Sequence, residues 1–175
     1  MPQSRLNKDE IIQLAFLKLG EQHQLYHNNI SDRLLIAEQL FNDIIVDLGS
    51  DATFTFNSRT IELDKFSNDT NFRGEFKYNK PNDYLSRVWT SDFKARIEAE
   101  YIWSKNDTLQ LCYCYEMNLS DYPLYLKKLI VLKLAKRLAE VYDGYYQKIP
   151  MLDRDIIDET NRIVTQEGLP FPMER

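Results

Sequence analysis

Apolar residues recur at helical spacing in four stretches of the chain and alternate with polar residues in the region between them. From about Lys8 to Leu19, Ile12, Ala15, Phe16 and Leu19 share one helix face, and Asn7 and Glu10 have capping-box spacing. A second helix starts near Ser31 or Asp32, either of which can cap it. Its stripe is Leu34, Ala37, Phe41, Ile44, Ile45 and Leu48, with Asp32, Arg33, Glu38, Asn42 and Asp47 mostly opposite. Helix returns at Ser120 or Asp121, tolerates Pro123 in its first turn and continues from Leu124 to Tyr142. It is apolar around much of its circumference, which suits the centre of a bundle or a face covered by a partner. A fourth covers about Leu152 to Glu167, with Ile156, Ile157, Thr160, Ile163 and Val164 inward. Gly20, Gly49, Gly144 and Gly168 each follow a helical stretch, where a C′ residue belongs.

Residues 51–117 read differently. Thr53-Phe54-Thr55-Phe56, Thr60-Ile61-Glu62-Leu63 and Glu98-Ala99-Glu100-Tyr101 alternate, and Asn57-Ser58, Ser67-Asn68-Asp69 and Lys105-Asn106-Asp107 interrupt them like turns. The pattern predicts short antiparallel strands near 59–63, 96–103 and 108–116, the last two forming a hairpin over Ser104–Asp107. Pro81-Asn82-Asp83-Tyr84 reads as a turn into Leu85–Trp89. The expected fold is α+β and mainly α. A small antiparallel sheet is inserted in a helical bundle, between an N-terminal and a C-terminal helix pair. The expected organisation is one domain over 1–175: helix pair 1–50, β-rich insertion 51–117, helix pair 118–168 and extended tail 169–175.

Composition narrows the function classes. Of 175 residues, 43% are hydrophobic, enough for a core. Only 5 are glycine, and neither G-x-G-x-x-G nor G-x-x-x-x-G-K occurs. Lys+Arg 22 against Asp+Glu 27 gives −5, the wrong sign for a general nucleic-acid footprint. No apolar run of about 18 residues suggests a membrane span. Met1-Pro2-Gln3-Ser4-Arg5 leads into charged residues rather than the apolar region of a signal peptide. Cys112-x-Cys114 is too close along a strand for an unstrained disulfide and lacks a second pair for zinc. Two ordinary half-buried thiols, in a chain made in a reducing cytoplasm, are expected.

Few residues suggest chemistry. His23-x-x-x-His27 has zinc-ligand spacing, but Gln24 stands where the glutamate of H-E-x-x-H would be. Asp153, Asp155, Asp158 and Glu159 gather near a helix start, where the dipole favours them without a metal. No nucleophile–base signature is present. These features argue against an enzyme and imply no cofactor and no metal site. The basic residues Lys127, Lys128, Lys133, Lys136 and Arg137 could meet phosphate, so a nucleic-acid-binding regulator using 127–137 is the alternative function. The tyrosines, Tyr145 and Tyr146 among them, suit surfaces half apolar and half wet.

Four words occur in an order that resembles a known family. Leu14-Ala15-Phe16-Leu17-Lys18-Leu19-Gly20 resembles the opening L-A-x-x-x-L-G of tailed-phage head-to-tail adaptor proteins, including the tail tubular protein A type of the T7-like phages. The helix with Ala37 and Phe41, followed by Phe54 and Phe56, is similar to the next block, where the family often has Trp at the position of Phe54. Lys80-Pro81-Asn82-Asp83-Tyr84-Leu85-Ser86-Arg87-Val88 resembles L-P-x-D-Y-L-R-V, with Lys80 at the first position. Leu124-Tyr125 through Leu134-Ala135-Lys136-Arg137-Leu138-Ala139 resembles the long A-L-A-x-R-L-A helix. The resemblance covers roughly residues 8–165.

It implies a structural virion protein without catalysis, made in the bacterial host cytoplasm and placed at the head–tail junction. Such a protein forms a homo-oligomeric ring, commonly of twelve copies, beneath the portal protein. The ring extends the channel for genomic double-stranded DNA without reading its sequence, and offers a surface to the tail or further ring proteins. DNA slides more freely past an acidic wall than past one that releases its counterions, which makes Glu62, Glu98 and Glu100 candidates for facing the channel. Leu169, Phe171 and Met173 lie in a tail held extended by Pro170 and Pro172. Their burial is worth roughly 1.5–3 kcal/mol each before ordering costs. Together with Tyr145 and Tyr146 they are candidates for the portal or ring-neighbour interface.

Overall fold

A computed structural model describes residues 7–20 and 30–167. Its elements run α1 (Lys8–Lys18), α2 (Ile30–Ser50), β1 (Ser58–Glu62), β2 (Lys65–Thr70), β3 (Phe76–Asn79), β4 (Tyr84–Thr90), β5 (Arg96–Glu98), β6 (Tyr101–Ser104), β7 (Gln110–Tyr115), α3 (Leu126–Val141) and α4 (Ile149–Glu167). Short 3-10 turns occupy Leu119–Asp121 and Asp143–Lys148. Two compact units result: a helical one on either side of the insertion, and a β unit from Gly49 to Glu116.

In the helical unit, Asn7 caps α1 by accepting from the Asp9 N–H at 3.0 Å, and Gly20 turns the chain away with φ +86°. Ile11, Ile12, Ala15 and Phe16 are buried on α1. The helix α3 is the centre of this unit, packed by both α1 and α4. Nine of its 16 residues are buried, Leu129, Leu132, Leu134 and Leu138 among them. Ala37, Phe41, Ile44 and Leu48 are the buried line of α2. The Tyr122 hydroxyl donates to the Ile45 carbonyl at 3.2 Å, and the Arg33 guanidinium lies 4.6 Å from the Tyr142 ring centroid. Gly49 lies within α2, and Gly144 lies in the second 3-10 turn rather than at a left-handed C′ position.

The β unit corrects the expected fold class. In place of one small sheet inserted in a bundle there are two antiparallel sheets, ordered β1-β7-β4 and β2-β3-β6-β5. With seven strands beside the four α-helices among the described residues, the chain is mixed α/β rather than a helical bundle with a minor insertion. The predicted 96–103 strand breaks at Ala99, φ +49°, into the hairpin β5–β6, where Arg96 faces Trp103 and Glu98 faces Tyr101. The predicted hairpin over Ser104–Asp107 does not form. β6 pairs with β3 and β5, while β7 pairs with β1 and β4. Residues 104–107 therefore carry the chain between sheets.

Packing explains the two layers. Leu111 and Tyr113 of β7 share one cluster with Tyr78 of β3 and Ile102 of β6, so the sheets bury a common core. The other side of β7 places Cys112 and Cys114 with Val88. A strand buried on both faces is a near-continuous apolar run, as Leu111–Tyr113 is. Thr53–Phe56 forms turns instead of a strand, because the Asp51 carboxylate takes the Thr53 N–H at 2.9 Å and the Asp51 carbonyl takes that of Phe54 at 3.2 Å.

Both cysteines are free thiols, 5% and 0% exposed, and burial pushes the Cys114 thiol above its ordinary value. Thiol reagents are expected to modify neither until the β unit is unfolded. Mass spectrometry after reagent treatment, with and without denaturant, checks this; fast labelling of the folded chain would contradict it.

Candidate functional site

The cations of α3 are the natural place to look for a charged ligand, and four of the five are already paired. Lys127 lies 2.6 Å from Glu10, Lys128 2.8 Å from Glu159, Lys136 2.7 Å from Asp153, and Arg137 3.6 Å from Asp47. Lys133 lines a recess of about 340 Å³ with Asp47, Glu140 and Asp153, which sets carboxylates beside it. The three pairs other than Lys128–Glu159 are partly exposed and contribute little stability, but all four cancel the field a phosphate would feel.

The acidic residues of α4 do not converge. Asp153 turns to Lys136, and Glu159 is the buried one, 2% exposed. Its carboxylate takes both the Lys128 ammonium and the Arg162 guanidinium, whose Nε lies 3.1 Å away. Arg162 foremost, after that Lys128, holds the Glu159 carboxyl below its ordinary value against the opposing effect of burial. Residues 152, 156, 159 and 163 fall on one helical line, which buries Glu159, a residue the expected inner face did not include, whereas Ile157, expected inward, is 59% exposed and points outward. Among the described residues no group of three or more His, Cys, Asp or Glu is placed to hold a metal ion. His23 and His27 lie outside the described residues.

An apolar groove opens beside the start of α3. Leu14 and Leu17 of α1, with Leu124, Tyr125 and Val131, line about 590 Å³ together with Lys18, Lys127, Lys128 and Arg162. The Tyr125 hydroxyl donates to the Glu167 carboxylate, and burial, followed by that carboxylate, raises the tyrosine's pKa.

The turn before β4 carries a connected polar cluster. One Asp83 carboxylate oxygen takes Arg59 at 2.7 Å and the other takes the Tyr113 hydroxyl at 3.0 Å. Arg59 Nε also donates to the Tyr113 oxygen at 2.8 Å, and the Tyr84 and Tyr113 rings stack 5.8 Å apart. Asp83→Ala leaves the Tyr113 hydroxyl, on a fully buried residue, without its acceptor. The expected cost is about 1–3 kcal/mol, and Asp83→Asn, which keeps an acceptor, should lose less. Urea unfolding of both variants measures it; equal losses would contradict this role.

The remaining candidates are spread out. Glu62 ends β1 in the three-stranded sheet, whereas Glu98 and Glu100 sit at the β5–β6 turn of the other. All three are exposed; Glu98 pairs with Arg96, and Glu100 lies 4.0 Å from Lys80. Tyr145 is half-buried and Tyr146 is 51% exposed, both in the 3-10 turn that precedes α4. Leu169, Phe171 and Met173 lie outside the described residues. The 19 residues of α4 separate the two tyrosines from Glu167 by about 28 Å at 1.5 Å per residue. The tyrosines and the root of the tail therefore belong to opposite ends of the helix.

No helix among the described residues is long and apolar enough to cross a membrane. A scan against protein-family models and a search of curated proteins found no match.

Proposed function

We propose that this chain is a structural adaptor of the tailed-phage head-to-tail junction: a ring subunit that sits beneath the portal, lengthens the DNA channel and receives the tail. The observation that carries the reading is where the family-like words fall in the fold. Ala15, Phe16 and Leu19 are the buried residues of the first word, which closes on the left-handed Gly20. The Asn82-Asp83-Tyr84 word is the bonded turn into β4, and its Val88 is buried. In the last word Leu134, Ala135, Leu138 and Ala139 are buried, and Lys136 and Arg137 turn outward to carboxylates. Words that resemble a family's are better support when each occupies a position that the fold depends on.

The paired cations of α3 weigh against the regulator, since a nucleic acid would have to displace Glu10, Glu159, Asp153 and Asp47 to reach them. On the adaptor reading the chain performs no catalysis and carries no cofactor. Its partners are further copies of itself, the portal, and tail-side or further ring proteins, with duplex DNA passing through unread. The exposed Glu62, Glu98 and Glu100 are its channel-facing candidates, and Tyr145, Tyr146 and the tail residues Leu169, Phe171 and Met173 its contacts to portal or neighbour. Native mass spectrometry of the full chain mixed with portal rings tests the reading. A complex holding a fixed, ring-forming number of copies per portal is expected. A monomer that ignores the portal and binds duplex DNA tightly at physiological salt overturns it.

A further inference from the structure

The groove beside α3 leaves apolar surface uncovered in the middle of a charged rim. Leu17 and Leu124 are 47% and 51% exposed there, and Val131 forms part of the wall. Lys18, Lys127, Lys128 and Arg162 surround them. We propose that in the free subunit this groove holds the chain's own segment Leu169–Met173. The inference rests on the groove and on where the chain leaves α4, and it stands apart from the adaptor reading.

Three observations converge on that occupant. Glu167 ends α4, and its carboxylate accepts from Tyr125, itself a lining residue, so the chain departs at the groove's edge. Next in sequence comes Gly168, the residue type that turns a chain back at a helix end, followed by an apolar residue, Leu169, of the kind that commonly packs onto the preceding turn in such motifs. Pro170 and Pro172 remove two N–H donors, which suits an extended segment lying in an apolar groove where a donor would go unpaired. Attachment through one or two residues also gives the segment an effective concentration in the millimolar range, above what a second copy supplies in solution. An adaptor that grips its portal with this segment would have to release it first.

The test uses the full chain with isotope-labelled methyl groups and a nitroxide attached through Arg175→Cys. The native thiols at Cys112 and Cys114 are too buried, 5% and 0% exposed, to take the label. Loss of the methyl signals of Leu14, Leu17, Leu124 and Val131 is expected. Leu17→Glu, at a half-exposed position, should restore the Leu14, Leu124 and Val131 signals while leaving those of the core residues Leu134 and Leu138 unshifted. Groove signals untouched by the label overturn the proposal, and so does a failure of Leu17→Glu to restore them. It is equally overturned if signals are lost when nitroxide and isotope sit on different copies in a mixed sample, which would mean that a neighbour's tail fills the groove.

Discussion

Leu134→Ala should cost the helical unit about 2–5 kcal/mol, the range for a fully buried leucine whose cavity the surroundings only partly close. Leu134 has no exposed surface and lies on the helix that both α1 and α4 pack against, so relaxation from one side is resisted from the other. Leu35→Ala on α2 is the control: that side chain is 57% exposed, and a change within about 0.5 kcal/mol is expected. Urea unfolding followed by far-ultraviolet circular dichroism, which reports mainly the helices, measures both. A loss below about 1 kcal/mol at Leu134 would mean that α3 is not the centre of its unit.

The second large effect concerns charge left without a partner. Lys128 and Arg162 are 64% and 47% exposed, so either can rehydrate if Glu159 is removed. Glu159, 2% exposed, cannot do the same if they are removed. The Lys128→Ala, Arg162→Ala double variant should therefore be less stable than Glu159→Gln. A carboxylate stranded at Glu159 costs on the order of 3 kcal/mol, whereas exchange for the neutral amide costs about 1 kcal/mol. The sign with pH follows from the direction of the shift. The carboxyl titrates lower in the folded chain than in the unfolded one. Its contribution is thus complete above the unfolded value of about 4.3 and is lost as pH falls through the folded value. In the double variant that depression disappears, and acid unfolding of the helices should begin at higher pH. Acid titrations of the three proteins check this, and coincident curves would contradict it.

How much of this was legible in the sequence depends on which interaction decides each feature. The four helices were, to within a few residues, because a helix satisfies its backbone internally and its buried line recurs every three to four positions. Phe41, Ile44 and Leu48 illustrate this on α2. The sheets were not, because alternation marks the buried side of a strand without naming its partner. Residues 101–104 and 110–115 read as a hairpin from their proximity, yet each pairs with distant strands, Tyr78 opposite Ile102 and Arg59 opposite Tyr113. β2, Lys65–Thr70, reads as a turn in the sequence because Ser67-Asn68-Asp69 has turn composition; as an edge strand it is mostly exposed and needs few apolar residues. Ala99 turns a hairpin with φ +49°, where Gly, Asn or Asp would have signalled the bend. The groove beside α3 was invisible, since it brings Leu14 and Leu17 to Leu124 and Val131 across more than a hundred residues of chain. The Asp153–Glu159 cluster was visible as composition only. That Glu159 is its buried member follows from a helical line which an acidic residue does not normally join.

Electron cryomicroscopy of portal-capped heads incubated with the full chain tests the adaptor reading most directly. The account predicts a closed ring of copies of this chain seated beneath the portal and coaxial with it, with a lumen wall that is acidic or neutral rather than basic. Heads whose portal stays bare under saturating protein, or a ring whose lumen is lined mainly by lysine and arginine, would contradict it.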